Sequence, residues 1–142
     1  CLETVASRLA ISAEAAEAAY RGQAPHLLEA AGTDLASIRS GALASAIDGG
    51  DVTVKAIVSH AAKDLGIAVA SVVNLLSPDI VVLGGGLMEA MPSLYLQEVR
   101  AAIKKQAMKP FTKSLKVVSA KLGDDAGVLG AAALAAELRN KG

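Results

Sequence analysis

The stretch "SPDIVVLGGGLMEAMP", from Ser77 to Pro92, decides the fold. A short apolar run, Asp79 to Leu83, leads directly into three glycines, and Pro92 stands at a position suited to the start of a helix. A continuous apolar run, rather than an alternating one, is typical of a strand that is buried on both faces of a parallel sheet. The stretch therefore predicts a strand, a glycine turn and a helix in succession.

The sequence downstream repeats this order of elements. "KVVSAK" (Lys116 to Lys121) reads as a second strand, and "GDDAG" then leads into an alanine-rich helix from Val128 to Arg139, which Asp124 or Asp125 is placed to cap. Strand, helix, strand and helix in this order predict a βαβα unit with parallel strands. If both turns lie at one sheet edge, they line one crevice. Two strands are too few for an independent sheet with both faces covered, so we expect its apolar faces to need partners outside this chain.

The region upstream of Ser77 is expected to be helical. Apolar residues recur at helical spacing from Val52 to Leu76, and the helix should end at Ser77 because Pro78 disfavours an α conformation before it. Further helical segments are predicted at residues 3–20 (in one or two pieces), 26–31, 34–39 and 40–47. We therefore divide the chain into a helical segment, 1–51, and a long helix followed by the βαβα unit, 52–142.

Length, charge and composition exclude several classes of protein. The chain has 142 residues, with 14 basic and 14 acidic side chains and a net charge of zero, so no strong field attracts nucleic acid or a membrane surface. Two Tyr, one Phe and no Trp make a base-stacking platform unexpected. No uninterrupted apolar run reaches about 18 residues, which predicts no transmembrane helix. The chain begins with Cys1 rather than Met, which suggests a fragment of a longer protein.

The glycines at 84–86 have two interpretations that the residues alone leave open. They can simply reverse the chain after a buried strand, or they can let a ligand approach the main chain beyond the carboxyl end of that strand. Two familiar nucleotide motifs are excluded. A Walker loop needs Gly-Lys-Ser/Thr where this chain has Leu87-Met88-Glu89, and a Rossmann fingerprint needs glycine at position 89.

The N-terminal residues and the histidines favour ordinary structural roles when they are taken alone. Glu3 can complement the dipole of the helix that follows it, and Cys1 can be a buried thiol. One cysteine does not make a structural zinc site, which needs about four ligands. His26 and His60 have no second ligand nearby in the sequence, so packing or surface roles are expected for both.

Three blocks, "CLETVAS", "VVNLLSPDIVVLGGGL" and "LGDDAGVLGAAALA", together resemble the C-terminal part of the ROK family, which contains sugar kinases and repressors. The resemblance runs over essentially the whole chain. It implies an α/β fold that is the C-terminal part of an actin-like ATPase (RNase H-like) lobe, with two parallel strands in mostly helical surroundings. It also implies part of an ATP-dependent hexose kinase, with glucose as the commonest substrate. The alternative is the sugar-sensing domain of a ROK transcriptional repressor.

The resemblance also assigns roles to particular residues. Cys1 matches the last cysteine of a zinc motif, and Glu3 matches a glutamate that hydrogen-bonds sugar hydroxyls. Gly84, Gly85 and Gly86 match the loop that contacts ATP, with Mg²⁺ on its phosphates. The other zinc ligands and the catalytic aspartate lie upstream of residue 1 in relatives, so we expect this chain alone to be inactive. The whole protein is expected to be a cytoplasmic homodimer without nucleic-acid or membrane partners.

Overall fold

The computed structural model describes residues 1–140, apart from the side chains of Asp124 and Asn140. Its helices are α1 (Glu3–Ala6), α2 (Arg8–Tyr20), α3 (Pro25–Ala31), α4 (Ser40–Gly49), α5 (Val52–Leu76), α6 (Gly86–Ala90), α7 (Pro92–Gln106), α8 (Lys109–Thr112) and α9 (Ala126–Asn140). Its strands are β1 (Ile80–Leu83) and β2 (Lys116–Ser119), and a 3-10 turn (Gly123–Asp125) precedes α9. The predicted long helix therefore has the expected bounds, whereas α6 and α8 were not predicted.

The two strands form a parallel pair, as the βαβα pattern predicts. Val81 lies opposite Val117 in the register of β1 and β2. One face of the sheet is closed, because Leu83 and Val117 are buried. The expectation that β1 is buried on both faces is wrong for this chain, since Ile80 and Val82 are 51% and 57% exposed. With only two strands, none of the described residues covers that second face.

The sheet is held in place by a close crossing of α5 and α7. Gly66 is buried in α5, and a Cβ atom added there would lie 2.6 Å from Ala102 Cβ and 2.9 Å from the Val99 carbonyl oxygen. Only glycine lets the two helices approach this closely. Arg100, also on α7, donates a hydrogen bond from Nε to the carbonyl oxygen of Val117 at 3.1 Å. The crossing and this bond together connect α5, α7 and β2.

The apolar face predicted for α5 is confirmed only in part. Val54, Ile57 and Val58 in the N-terminal half are buried as expected. Toward the C-terminal end, the predicted stripe residues Val72 and Leu76 are 49% and 69% exposed. The periodicity identifies an apolar face of α5. Which part of that face is buried depends on where α7 packs, close to Gly66.

By length and composition alone, α5 is the one helix among the described residues that qualifies as a candidate membrane span. The core helix of a soluble protein passes the same test. In this fold α5 packs against α2 and α7, and buried residues lie along it from Val54 to Val73. Part of α5 is therefore buried inside the fold, 39% of its most apolar window.

Local hydrogen bonds set the helix ends in the N-terminal segment. The segment 3–20 forms two helices because Ser7 is extended between them, and its hydroxyl accepts a hydrogen bond from the Ala10 amide at 3.1 Å. The short helix predicted at 34–39 is wrong. The Asp34 carboxylate instead accepts bonds from the Ala36 amide and the Ser37 hydroxyl, at 3.1 and 2.9 Å, and this turn competes with a helix. These bonds hold the pKa of Asp34 below its ordinary value.

Asp51 is a buried carboxylate that joins the start of α3 to the start of α5. Its oxygens accept hydrogen bonds from the backbone amides of His26 and Leu27, at 3.3 and 2.8 Å, so it satisfies donors at the N-terminus of α3. The His26 ring packs on Gly49, where an added Cβ would lie 2.9 Å from the ring Cγ. These contacts agree with the packing role predicted for His26.

The terminal helix α9 confirms the predicted last element but stands largely apart from the core. It packs on the 3-10 turn, and its side chains from Ala126 to Arg139 are exposed. Four large apolar side chains on it are between 49% and 73% exposed: Val128, Leu129, Leu134 and Leu138. Among the described residues, nothing buries this apolar surface.

The close crossing predicts that Gly66→Ala destabilises the fold. The added methyl group would overlap Ala102 and the Val99 backbone, so we expect the free energy of unfolding to fall by about 1–3 kcal/mol. Thermal unfolding followed by circular dichroism measures the change. Gly41→Ala is the matched control, because a Cβ at Gly41 in α4 meets no atom within 4 Å and alanine favours a helix. Equal free energies of unfolding for the two variants would contradict the claim that α5 and α7 need glycine at position 66.

Candidate functional site

The three glycines form a loop, here called the glycine loop (Gly84–Gly86), at the carboxyl end of β1. Gly85 has φ = +100°, a conformation that side chains disfavour. An added Cβ would lie 3.3 Å from Ala120 Cβ at Gly84 and 3.2 Å from Ser40 Oγ at Gly86. All three glycines are exposed. The loop therefore reverses the chain and also presents bare main chain to solvent, so the two interpretations of the glycines are compatible.

A cavity of about 340 Å³ lies on one side of the glycine loop. Ala6 and Arg8, from the N-terminal segment, line it together with the loop and with apolar side chains that include Leu65 and Tyr95. Glu3 is exposed on α1 and does not line the cavity, but Ala6 lies one helical turn after it. The fold therefore brings the N-terminal segment to the glycine loop.

A second cavity, here called the strand-end crevice, lies where the carboxyl ends of β1 and β2 meet. It has a volume of about 240 Å³. Its lining residues are Leu83, Gly84, Met88, Glu89, Pro92, Ser119 and Ala120. The turn after β2 adjoins it, because a Cβ added at Gly123 would lie 3.7 Å from Oε1 of Glu89. The two strand-to-helix turns therefore approach each other at one sheet edge.

Cys1, the residue assigned to zinc, has no neighbouring ligand in the described part of the chain. Its thiol is free and exposed, so the interpretation of Cys1 as a buried thiol is wrong. No group of three or more His, Cys, Asp or Glu side chains among the described residues is arranged to hold a metal ion. A structural zinc ion needs about four donors, so the donor set in this chain does not fit one. His60 Nδ1 lies 4.0 Å from Asp64 Oδ2 on the surface of α5.

Tyr95 is a buried residue that lines the larger cavity together with the glycine loop. Its side chain is buried on α7, and its hydroxyl has no hydrogen-bond partner among the described residues. Burial raises the pKa of Tyr95 to about 12, because the charged phenolate loses its hydration. Tyr95 therefore contributes packing beside the cavity rather than an anchored polar contact.

Several residues at the site escaped sequence analysis. The sequence around Arg8 indicates only a helix and no functional role for its side chain. Ser40 was predicted only as the start of a helix. Glu89 lies in the stretch that decides the fold, three residues after the glycine loop. This short spacing was the one feature of the sequence that could have indicated a role for Glu89 at the site. As for capping of α9, Asp125 makes no side-chain hydrogen bond with the described residues, and the Asp124 side chain lies outside them.

A model of the ROK family matches residues 1–138. The chain belongs to the ROK family. Glucokinase from Halalkalibacterium halodurans is 32% identical over 145 residues, a match that covers 99% of this chain and 42% of that enzyme. The chain therefore spans less than half the length of this relative.

Two solved ROK structures share the fold. A ROK family glucokinase from Streptomyces griseus, in complex with glucose and AMPPNP, superposes with a TM-score of 0.78 at 25% identity, covering 94% of this chain and 44% of that one. A ROK family transcriptional regulator, a homologue of the E. coli MLC protein, superposes with a TM-score of 0.68 at 28% identity. That match covers 84% of this chain and 28% of the regulator. The predicted fold is thus confirmed: part of an actin-like ATPase, mostly helical, with two parallel strands.

The buried Tyr95 hydroxyl predicts that Tyr95→Phe changes stability at alkaline pH. Its folded pKa of about 12 exceeds the ordinary value of 10.0, so the stability that it contributes is present below pH 10 and is lost as the pH rises toward 12. The Tyr95→Phe variant should not lose stability in this way between pH 10 and 12. At pH 7 its stability should be unchanged or raised by up to about 1 kcal/mol, because no hydrogen bond is broken.

Denaturant titrations at pH 7 and between pH 10 and 12 measure the free energy of unfolding of the unsubstituted ROK protein and of its Tyr95→Phe variant. Tyr20→Phe is the control, because Tyr20 is 83% exposed and should behave like the unsubstituted protein throughout. A Tyr95→Phe variant that loses well over 1 kcal/mol at pH 7 would show that the hydroxyl has a partner.

Proposed function

We propose that this chain is part of an ATP-dependent hexose kinase, with glucose as the first substrate to test. The observation that carries the proposal is the exposed main chain of the glycine loop at the carboxyl end of a parallel strand, beside a second strand-to-helix turn. Ligands of open α/β sheets bind at this end of the strands. The likeness to the Streptomyces griseus glucokinase, whose structure holds glucose and AMPPNP, supports the same reaction class.

In this proposal the glycine loop, Gly84, Gly85 and Gly86, contacts the nucleotide. Without side chains, the backbone approaches the ligand closely and offers its own polar groups. Ala120 and Ser40 leave little room for a Cβ atom at Gly84 and Gly86, so side chains at these two positions would crowd the loop. Phosphoryl transfer depends mainly on positioning and on charge stabilisation. Mg²⁺ supplies charge neutralisation on the phosphates when it is bound.

Glu3 is the proposed sugar ligand. A carboxylate accepts strong hydrogen bonds from hydroxyl groups, and the side chain of Glu3 is exposed and available. Support comes from the cavity that joins Ala6 and Arg8 to the glycine loop, because it puts the N-terminal segment on the same side of the core as the loop. A sugar on Glu3 and a nucleotide on the loop would then lie on the same side of the core, as transfer between them requires.

The rest of the proposed enzyme lies outside this chain. We assign the catalytic base, the lobe that binds the phosphates and the other zinc ligands beside Cys1 to the part of the whole protein that this chain does not span. The same part would cover the exposed face of β1 and the apolar surface of α9. Because the catalytic base is assigned to that part, we expect no phosphorylation of glucose by the 142-residue chain alone. The family resemblance implies a cytoplasmic homodimer as the active form.

The alternative is the sugar-sensing domain of a ROK repressor. The transcriptional regulator superposes over 84% of this chain, so the fold alone serves both functions. A repressor keeps the sugar ligand but has no need of a nucleotide. Sugar binding without ATP binding by the complete gene product would therefore favour the repressor over the kinase.

The two proposed ligand contacts predict that substitutions at Glu3 and Gly85 raise KM for different substrates in the complete gene product. Glu3→Gln should raise KM for the sugar at least about tenfold and leave KM for ATP unchanged, because it removes a charged hydrogen-bond acceptor. Gly85→Ala should raise KM for ATP by a similar factor and leave KM for the sugar unchanged. A coupled assay of ADP formation, with each substrate varied in turn, measures both constants.

Matched controls separate ligand contacts from damage to the fold. Gly50→Ala is the control for Gly85→Ala, since Gly50 also has a positive φ, +108°, with no atom within 4 Å of an added Cβ, and lies between α4 and α5. Glu14→Gln on the exposed part of α2 is the control for Glu3→Gln. Control variants that reproduce the KM changes would refute the assignments, and unchanged KM values at Glu3 and Gly85 would do the same.

A further inference from the structure

Glu89 is the one acidic side chain that lines the strand-end crevice. It lies in the first turn of α6, three residues after the glycine loop, and its side chain is exposed. Its Oε1 atom approaches the opposite turn at Gly123, which has φ = +53°. The carboxylate therefore stands between the two strand-to-helix turns.

The Glu89 carboxylate is not used by the fold. No hydrogen bond or ion pair joins it to any residue that the structure describes. The Arg21–Glu17 salt bridge and the 4.0 Å approach of His60 Nδ1 to Asp64 Oδ2 lie on α2 and α5, and neither involves Glu89. A charged acceptor with no structural partner at the mouth of a crevice is free to accept hydrogen bonds from a ligand.

The lining of the crevice restricts the chemistry of that ligand. Leu83, Met88, Pro92 and Ala120 give it apolar walls, and Glu89 contributes one negative charge. Apolar walls suit a flat heterocyclic base, while a carboxylate repels phosphate and accepts hydrogen bonds from a pair of neighbouring hydroxyls. Within a nucleoside triphosphate, the ribose diol meets this requirement and the phosphates do not.

We propose that Glu89 determines nucleotide specificity by accepting hydrogen bonds from the 2′- and 3′-hydroxyls of the ribose. This inference rests on the proposed kinase function and makes it more specific. The base then lies in the strand-end crevice, and the glycine loop, which shares Gly84 with the crevice, passes beside the ribose toward the phosphates.

The test compares ATP with 2′,3′-dideoxy-ATP, which lacks both hydroxyls. Isothermal titration calorimetry on the complete gene product gives Kd for each nucleotide. We expect the unsubstituted protein to bind ATP at least about tenfold more tightly than the dideoxy analogue, because hydrogen bonds to a charged group are strong. In Glu89→Ala this ratio should fall to about one, with the affinity for the dideoxy analogue unchanged. Glu29→Ala, on α3 away from the crevice, should keep the full ratio.

Each outcome distinguishes the inference from the proposed function. Nucleotide binding with the same ratio in Glu89→Ala and in the unsubstituted protein would overturn the role of Glu89 and leave the kinase intact. If Glu89→Ala lost equal affinity for ATP and for the dideoxy analogue, the role of Glu89 would also be overturned, because the loss would indicate damage to the crevice. Failure of the unsubstituted protein to bind either nucleotide would overturn both the kinase and the ribose contact.

Discussion

The contact at Gly66 is the constraint on which the rest of the structure depends. There α5 and α7 approach until an added methyl group would overlap the Val99 backbone. This spacing sets α7 against the sheet, and Arg100 then reaches the carbonyl oxygen of Val117 on β2. Because interiors are close-packed, a shift at the crossing would be transmitted to the strand ends. The geometry of the two turns therefore depends on a contact in the middle of the long helix.

The glycine loop shows how structural and functional demands coincide in one segment. Gly84 and Gly86 are small because Ala120 and Ser40 stand close to them, and Gly85 is glycine because its φ is positive. These packing requirements leave the main chain bare at the end of β1, where parallel sheets bind ligands. The same glycines that let the chain turn can therefore receive a nucleotide.

Sequence patterns predicted the long helix, both strands and their parallel pairing, because apolar periodicity and turn residues are local signals. The family came from the resemblance of three sequence blocks. The patterns failed where distant contacts decide. The burial of Gly66 depends on α7, and one face of β1 stays open because none of the described residues packs on it. The turn at Asp34 is a local exception, because side-chain bonds within it compete with a helix. At the site, Glu3 and the glycine loop came from motif resemblance, whereas Glu89 became visible only when the fold brought it to Gly123.

The central claim is that bare main chain at the end of β1 receives a nucleotide. Backbone amide NMR of the isotope-labelled complete gene product, titrated with AMPPNP, tests it most directly. The account predicts that the largest shift changes fall on Gly84, Gly85, Gly86 and Gly123, while Gly50, with its similarly strained backbone, stays unchanged. Shift changes that spare the glycine loop while AMPPNP binds elsewhere would contradict the account.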